Sequence, residues 1–174
     1  MKKIIYTLLM TASFTNLCFS QDSLFKVTGE GITDYIVTTC ETKTQSEIYK
    51  KTIEWISFTF KNSNEVIQSQ IENDMIRIEG FTESFNGTSN AKYIIEISFK
   101  EGKYKFDPIK FTIINGINKY DFFLTFSSYY KSDGTVKERL KDTVSGVENL
   151  INSLNTKLKQ YILGIKSETK KNDW

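Results

Sequence analysis

The stretch from Lys92 to Phe106 leaves the chain few folding options. Tyr93, Ile95, Ile97 and Phe99 fall on one side of an extended backbone, and Glu96, Ser98 and Lys100 on the other. A period of two with one apolar and one polar face belongs to a strand in a half-covered antiparallel sheet. Glu101-Gly102 follows and has the chemistry of a tight hairpin turn. Beyond it Tyr104 and Phe106 share a face, and then Ile109, Phe111 and Ile113 do. The parity changes across Asp107-Pro108, so the chain's one proline predicts a bulge or an edge at that point.

Shorter runs of the same kind flank this hairpin. Residues 34–40 are rich in β-branched and aromatic side chains and read as a strand. Residues 65–72 alternate, with Ile67 and Ile71 on one face and Gln68 and Gln70 on the other, and Asn73-Asp74 marks a turn. Residues 75–84 begin with Ile76 and Ile78 on one face. Phe81 then shifts parity after Gly80, which predicts a bulge at the glycine. Asn86-Gly87 marks the next turn. Residues 115–121 read as a loop, and the aromatic run 120–130 is ambiguous between strand and helix.

Two segments carry a helical period. Thr44 and Glu47 have the spacing of a capping box. After them Tyr49, Ile53, Ile56 and Phe60 line one stripe, expected to face the core. Ile48, Trp55 and Phe58 lie on another side, which predicts a second packing partner for this helix. The last helix is expected from about Val136 to Ile165. Its apolar residues Leu140, Val144, Val147, Ile151, Leu154, Leu158, Tyr161 and Ile165 recur at steps of four and three, a coiled-coil-like seam. Part of that seam is expected on the sheet, and residues 140–165 are a candidate surface for homo-oligomers. The resulting fold class is α+β: an antiparallel sheet with two helices on one face, in the order β-α-β-β-β-β-α.

The N-terminus has Lys2 and Lys3, an apolar run from Ile4 to Phe19, and Ser20-Gln21. This is the pattern of a secretory signal peptide cleaved near Ser20. The run is too short to span a bilayer, and no other segment is apolar for long enough. Cys18 could serve a lipoprotein signal, but bulky Leu17 stands where such signals have a small residue. The expected mature protein is extracytoplasmic, periplasmic or secreted. It has an N-terminal arm at 21–33, a folded core at 34–165 and a polar tail at 166–174. Residues 1–20 take two lysines and no acid from the 23 basic and 21 acidic residues, leaving the charges equal. A neutral chain lacks the basic footprint of a nucleic-acid binder. Cys40 is then expected to be buried as a small hydrophobe.

The run SEIYKKTIEWISFTFKNSNEVI at 46–67, with YIIEISFKEGKYKF at 93–106, resembles a family of exported bacterial domains of unknown function, DUF4468. The match covers about residues 35–114. Its most specific pieces are Glu47-Ile48-Tyr49, Glu54-Trp55 and Glu101-Gly102-Lys103-Tyr104. The resemblance implies a fold like that of TATA-binding protein, and it carries no catalytic residues. Kinship at the level of fold does not fix function.

The chain has no histidine, which removes Ser-His-Asp and Cys-His catalysis and histidine metal sites. No phosphate-binding glycine loop is present. No catalytic residue, cofactor or metal site is therefore expected. Two weaker motifs allow an enzymatic alternative. Ser128-Tyr129-Tyr130-Lys131 matches Ser-x-x-Lys without its companion motifs. Glu79 and Glu96 could share the polar sheet face as an acid–base pair, but Arg77, Lys103 and Lys105 make a mixed-charge solvated face the simpler account. The favoured reading is a non-enzymatic binding module of the envelope, its partner a protein or a small ligand. The candidate contact surface is Trp55, Tyr120, Phe122, Phe123 and Phe126. For the aromatic run 120–126 itself, the favoured account is that it fills the space between sheet and final helix, and the contact surface is the alternative.

Overall fold

The structure is a computed structural model describing residues 23–165. The signal peptide expected at 1–20 and the tail at 166–174 lie outside the described residues. The elements in chain order are β1 (Ile36–Thr39), α1 (Gln45–Thr59), a single turn α2 (Ser63–Val66), β2 (Ile67–Ile71), β3 (Met75–Thr82), β4 (Asn90–Lys100), β5 (Lys103–Asn115), β6 (Asn118–Asp121), the short α3 (Phe122–Thr125) and α4 (Lys141–Leu163). Short 3-10 turns at 126–129 and 138–140 join α3 to α4.

The strands form one antiparallel sheet in the order β1-β5-β4-β3-β2. The long strand β5 organises it. Its first residues pair with β1 and its last with β6, while β4 runs along its other edge. The β4–β5 hairpin closes where expected, with Gly102 at φ +68°. That backbone region favours glycine. One sheet face is apolar and buried: Ile76 and Ile78 of β3, Tyr93 to Phe99 of β4 at alternate positions, and Tyr104, Phe106, Phe111 and Ile113 of β5. Both long helices cover this face. On α1, Tyr49 packs edge-on to Phe99 at 5.6 Å between ring centroids. From α4, Asn155 reaches Tyr104 and Thr38. The fold class is thus α+β, with an antiparallel sheet covered on one side.

Several elements depart from the expectations. The predicted helix cap is present: Thr44 N donates to Glu47 Oε2 at 2.8 Å, and Thr44 Oγ1 accepts from Glu47 N at 3.2 Å. The core stripe of α1, however, is Ile48, Thr52, Trp55 and Ile56, while Tyr49, Ile53 and Phe60 are only half-buried. Thr52 fits this stripe because its hydroxyl donates to Ile48 O at 2.8 Å. Phe58 stays outside at 79% exposure and leans on Tyr161 of α4.

No bulge occurs at Gly80. β3 and β4 pair without interruption, and Gly80 faces Tyr93, whose ring lies where a Cβ would sit, 2.3 Å away. Phe81 simply points to the other face. The bulge across Asp107-Pro108 does occur, and it shifts the register between Ile94 and Ile95. Pro108 remains inside opposite Ile95, and Ile109 is the extra residue, turned outward instead of joining Phe111 and Ile113.

Residues 115–121 form a second hairpin, not a loop. Asn115 pairs with Asn118 around Gly116, at φ +59°, and Ile117. The last helix starts at Lys141, after a 3-10 turn, rather than at Val136. Its buried stripe is Val144, Val147, Ile151, Leu154, Leu158 and Ile162. The strict 3.5-residue seam predicted Tyr161 and Ile165, but a straight helix drifts from that period. The buried part of the seam therefore packs into the chain's own core.

Within the N-terminal arm, Phe25 and Val27 are tied to α4 and Tyr130. Asn152 Oδ1 accepts from Phe25 N at 2.9 Å, and Asn152 Nδ2 donates to Phe25 O at 3.0 Å. Glu148 Oε1 accepts from Val27 N at 2.7 Å, and Tyr130 Oη donates to Val27 O at 2.6 Å. These side chains act as a strand partner for a backbone that could otherwise not be buried.

Candidate ligand-binding site

Among the described residues no helix lies on the second sheet face. Its centre is a ladder of ion pairs, two across strands and one along β5. Arg77 Nη2 and Glu96 Oε2 lie 2.6 Å apart, Lys92 Nζ and Glu79 Oε1 2.8 Å, and Lys105 Nζ and Asp107 Oδ2 2.9 Å. The hydrogen bond to Asp107, chiefly, raises the Lys105 ammonium above the ordinary lysine value. Glu79 and Glu96 each hold a cation, which is the arrangement of a solvated ion-paired face and not of a free acid–base couple.

The ladder ends at the β4–β5 hairpin. There Val37, Lys105 and Ser98 stand side by side across β1, β5 and β4, and Lys103 and Lys100 form the next rung. Tyr35 lies beyond Val37 with its ring centroid 5.4 Å from Lys105 Nζ. Tyr35, Val37, Ser98, Lys100, Lys103 and Lys105 line a recess of about 300 Å³, the lower end of the small-molecule range. Tyr35 is 49% exposed and Val37 39%. Among the described residues no carboxylate pairs with Lys100 or Lys103. They are directly opposed across the strands, a like-charge pairing that destabilises a hairpin.

A larger open hollow of about 740 Å³ lies between the N-terminal strap and α4. Its charges are balanced: Lys141 pairs with Glu138 at 2.6 Å, and Glu148 is held by Val27 N. Ser128 and Lys131 do not form a catalytic pair. The Ser128 hydroxyl donates to Thr125 O at 2.7 Å, its carbonyl accepts from Lys137 Nζ, and the two side chains share no hydrogen bond.

The structure disperses the five aromatic residues named as a candidate surface and packs most of them, as the favoured account of the run has it. Trp55 is buried at 3% exposure against Phe60. Phe122 is wholly buried at the centre of a cluster with Phe111, Phe123 and Tyr129. Phe123 and Phe126 are half-buried against the same core. Tyr120 alone of the five is exposed, at 48%. The aromatic run thus fills the space beside the sheet, because Asp121 caps α3 and turns Phe122 inward. The residues missed by this reading are Tyr35, Val37, Ser98 and Lys100. Their signal was present in the Lys100-Glu101-Gly102-Lys103-Tyr104-Lys105 run: the turn folds its three lysines onto one side.

Comparison with solved structures places the architecture. A DUF4468 family protein from Bacteroides ovatus superposes with a TM-score of 0.67 at 13% identity, covering 83% of this chain and 92% of its own. A TBP-like protein from Parabacteroides distasonis superposes with a TM-score of 0.60 at 12% identity, covering 76% and 92%. The fold is TATA-binding-protein-like. Both neighbours carry the descriptions that the sequence resemblance implied. No family model matches the chain, and no curated protein does. At these identities the TATA-binding-protein-like neighbours speak for the fold alone. No described helix is long and apolar enough to cross a membrane.

Proposed function

We propose that this TATA-binding-protein-like chain is an exported, non-enzymatic binding module of the bacterial envelope, and that it receives its ligand on the helix-free face of the sheet. The observation that carries the reading is the break in charge balance on that face. Among the described residues Arg77, Glu79, Lys92, Glu96, Lys105 and Asp107 are paired, whereas Lys100, Lys103 and, beside the Glu79–Lys92 pair, Lys110 have no ion-pair partner, and of these Lys100 and Lys103 stand together on the recess beside Tyr35 and Val37. A concave site with apolar walls and a few convergent polar groups is the usual form of a small-ligand pocket. Export rests on the basic start, apolar run and small residue before Gln21. Equal charges in the expected mature chain speak against a nucleic-acid partner.

Two measurements test the reading. Mass spectrometry of protein recovered from the producing cell is expected to find Gln21 at the N-terminus; a chain still starting at Met1 would remove the export claim. Immobilised protein is expected to retain a component of an envelope extract. The double substitution Lys100→Glu/Lys103→Glu is expected to lose it, and Lys157→Glu on the exposed side of α4 to keep it. Equal retention by all three would place the binding surface elsewhere.

A further inference from the structure

We infer that the recess beside Tyr35 takes a phosphomonoester carried on a small apolar body; this rests on the helix-free face being the binding surface. Charge comes first. Lys105 is paired with Asp107, and the other acid acting on it, Glu96, is paired with Arg77, which leaves Lys100 and Lys103 as an excess of about two positive charges. A phosphomonoester carries roughly −1.5 to −2 at neutral pH, so one such group balances the recess. A singly charged carboxylate does not. Donor geometry points the same way. The recess holds ammonium groups, which act as compact point charges with rotatable donors, and no guanidinium fork, which suits a planar carboxylate. The Ser98 hydroxyl on the neighbouring strand supplies a further donor opposite Lys105.

The walls define the rest of the ligand. Tyr35 and Val37 lie on one side of the lysines and expose about half and two-fifths of their surface. A ring or short alkyl group attached to the phosphate would cover them, and an inorganic ion would not. Binding would also relieve the opposed Lys100–Lys103 rung, since an anion between like charges turns a repulsion into two charge-assisted contacts.

The probe is phenyl phosphate, titrated into the mature protein and followed by backbone amide shifts, with inorganic phosphate and benzoate alongside. Phenyl phosphate is expected to shift the amides of residues 35–37, 98–100 and 103–105. Inorganic phosphate should bind more weakly at the same place and benzoate more weakly still. Lys100→Gln/Lys103→Gln is expected to reduce phenyl phosphate affinity by roughly tenfold or more, the scale of losing two charge-assisted contacts. Tyr35→Ala is expected to bring phenyl phosphate down to the level of inorganic phosphate, with the folded spectrum unchanged. Benzoate binding as well as phenyl phosphate, shifts scattered over all surface lysines, or full affinity in the double variant would each overturn the assignment. If phenyl phosphate fails while Lys100→Glu/Lys103→Glu still abolishes retention from the envelope extract, the phosphate class is wrong and the binding face stands. If both fail, both readings fall.

Discussion

Gly80 and Phe81 are neighbours in β3, and the sheet sends them to opposite fates. Gly80 lies on the helix-covered face under the Tyr93 ring, where no side chain fits. Phe81 lies on the open face at 54% exposure, beside Lys92. The same contrast holds across the sheet. The covered face is packed with Ile, Phe and Tyr and admits few polar groups, among them Asn155 hydrogen-bonded between Thr38 and Tyr104. The open face mixes ion pairs with partly exposed apolar residues, among them Val37, Phe81 and Ile109. Burial alone separates an aromatic that holds the fold from one that is free to meet a ligand.

The largest expected effect lies on the covered side. Phe122→Ala removes the ring at the centre of the Phe111–Phe123–Tyr129 cluster and is expected to cost about 3–5 kcal/mol in urea unfolding. A cost below about 1 kcal/mol would mean that α3 is not part of the core.

Tyr93 gives a pH test of the same face. Burial pushes its phenol up to about 12 from an ordinary value near 10. Above pH 10 the unfolded chain releases this proton and the folded chain keeps it, so stability falls as pH rises from 10 to 12 and levels off beyond. The loss is about 2–3 kcal/mol. It is expected in wild type and absent from the difference curve of Tyr93→Phe.

Asn155→Leu takes the buried side-chain partner from the Thr38 hydroxyl and one of two bonds to Asn155 from the Tyr104 hydroxyl, the other going to the backbone carbonyl, and is expected to cost about 1–3 kcal/mol. Thermal unfolding with a Thr38→Val/Tyr104→Phe/Asn155→Leu variant sharpens this: if the polar network is what matters, removing all three groups together costs less than removing Asn155 alone.

On the open face, Arg77→Ala breaks a partly exposed ion pair, and a cost of about 0.2–1 kcal/mol is expected. A larger value would show that the ladder is buried by something in the native protein.

Most strands and their faces were legible because alternation reports directly on which side is wet, but in β2 a register shift after Ile67 sets Ile71 opposite Met75 on the open face, so the shared face expected for Ile67 and Ile71 is not formed. The hairpin at Glu101-Gly102 and the capping box at Thr44 were legible because each depends on residues adjacent in sequence. Gly80 misled because a glycine in a strand can mark a bulge or make room for a ring, and only the cross-strand partner, Tyr93, decides between them. The core side of α1 misled for a related reason. Two apolar stripes compete on that helix, and the choice between Trp55 and Tyr49 is made by how α4 lies beside it. The recess was missed because Tyr35 and Lys100 are far apart in the chain and meet only through β5, which pairs with both strands.

The division of the sheet into two faces is tested most directly by the urea midpoint of Phe81→Asp set beside that of Phe122→Asp. A charge in place of Phe122 is expected to abolish the folded state, whereas a charge in place of Phe81 should change stability by no more than about 0.5 kcal/mol, as at other exposed positions. Comparable losses at both residues would contradict the account, for they would mean that the face proposed to bind a ligand is itself part of the core.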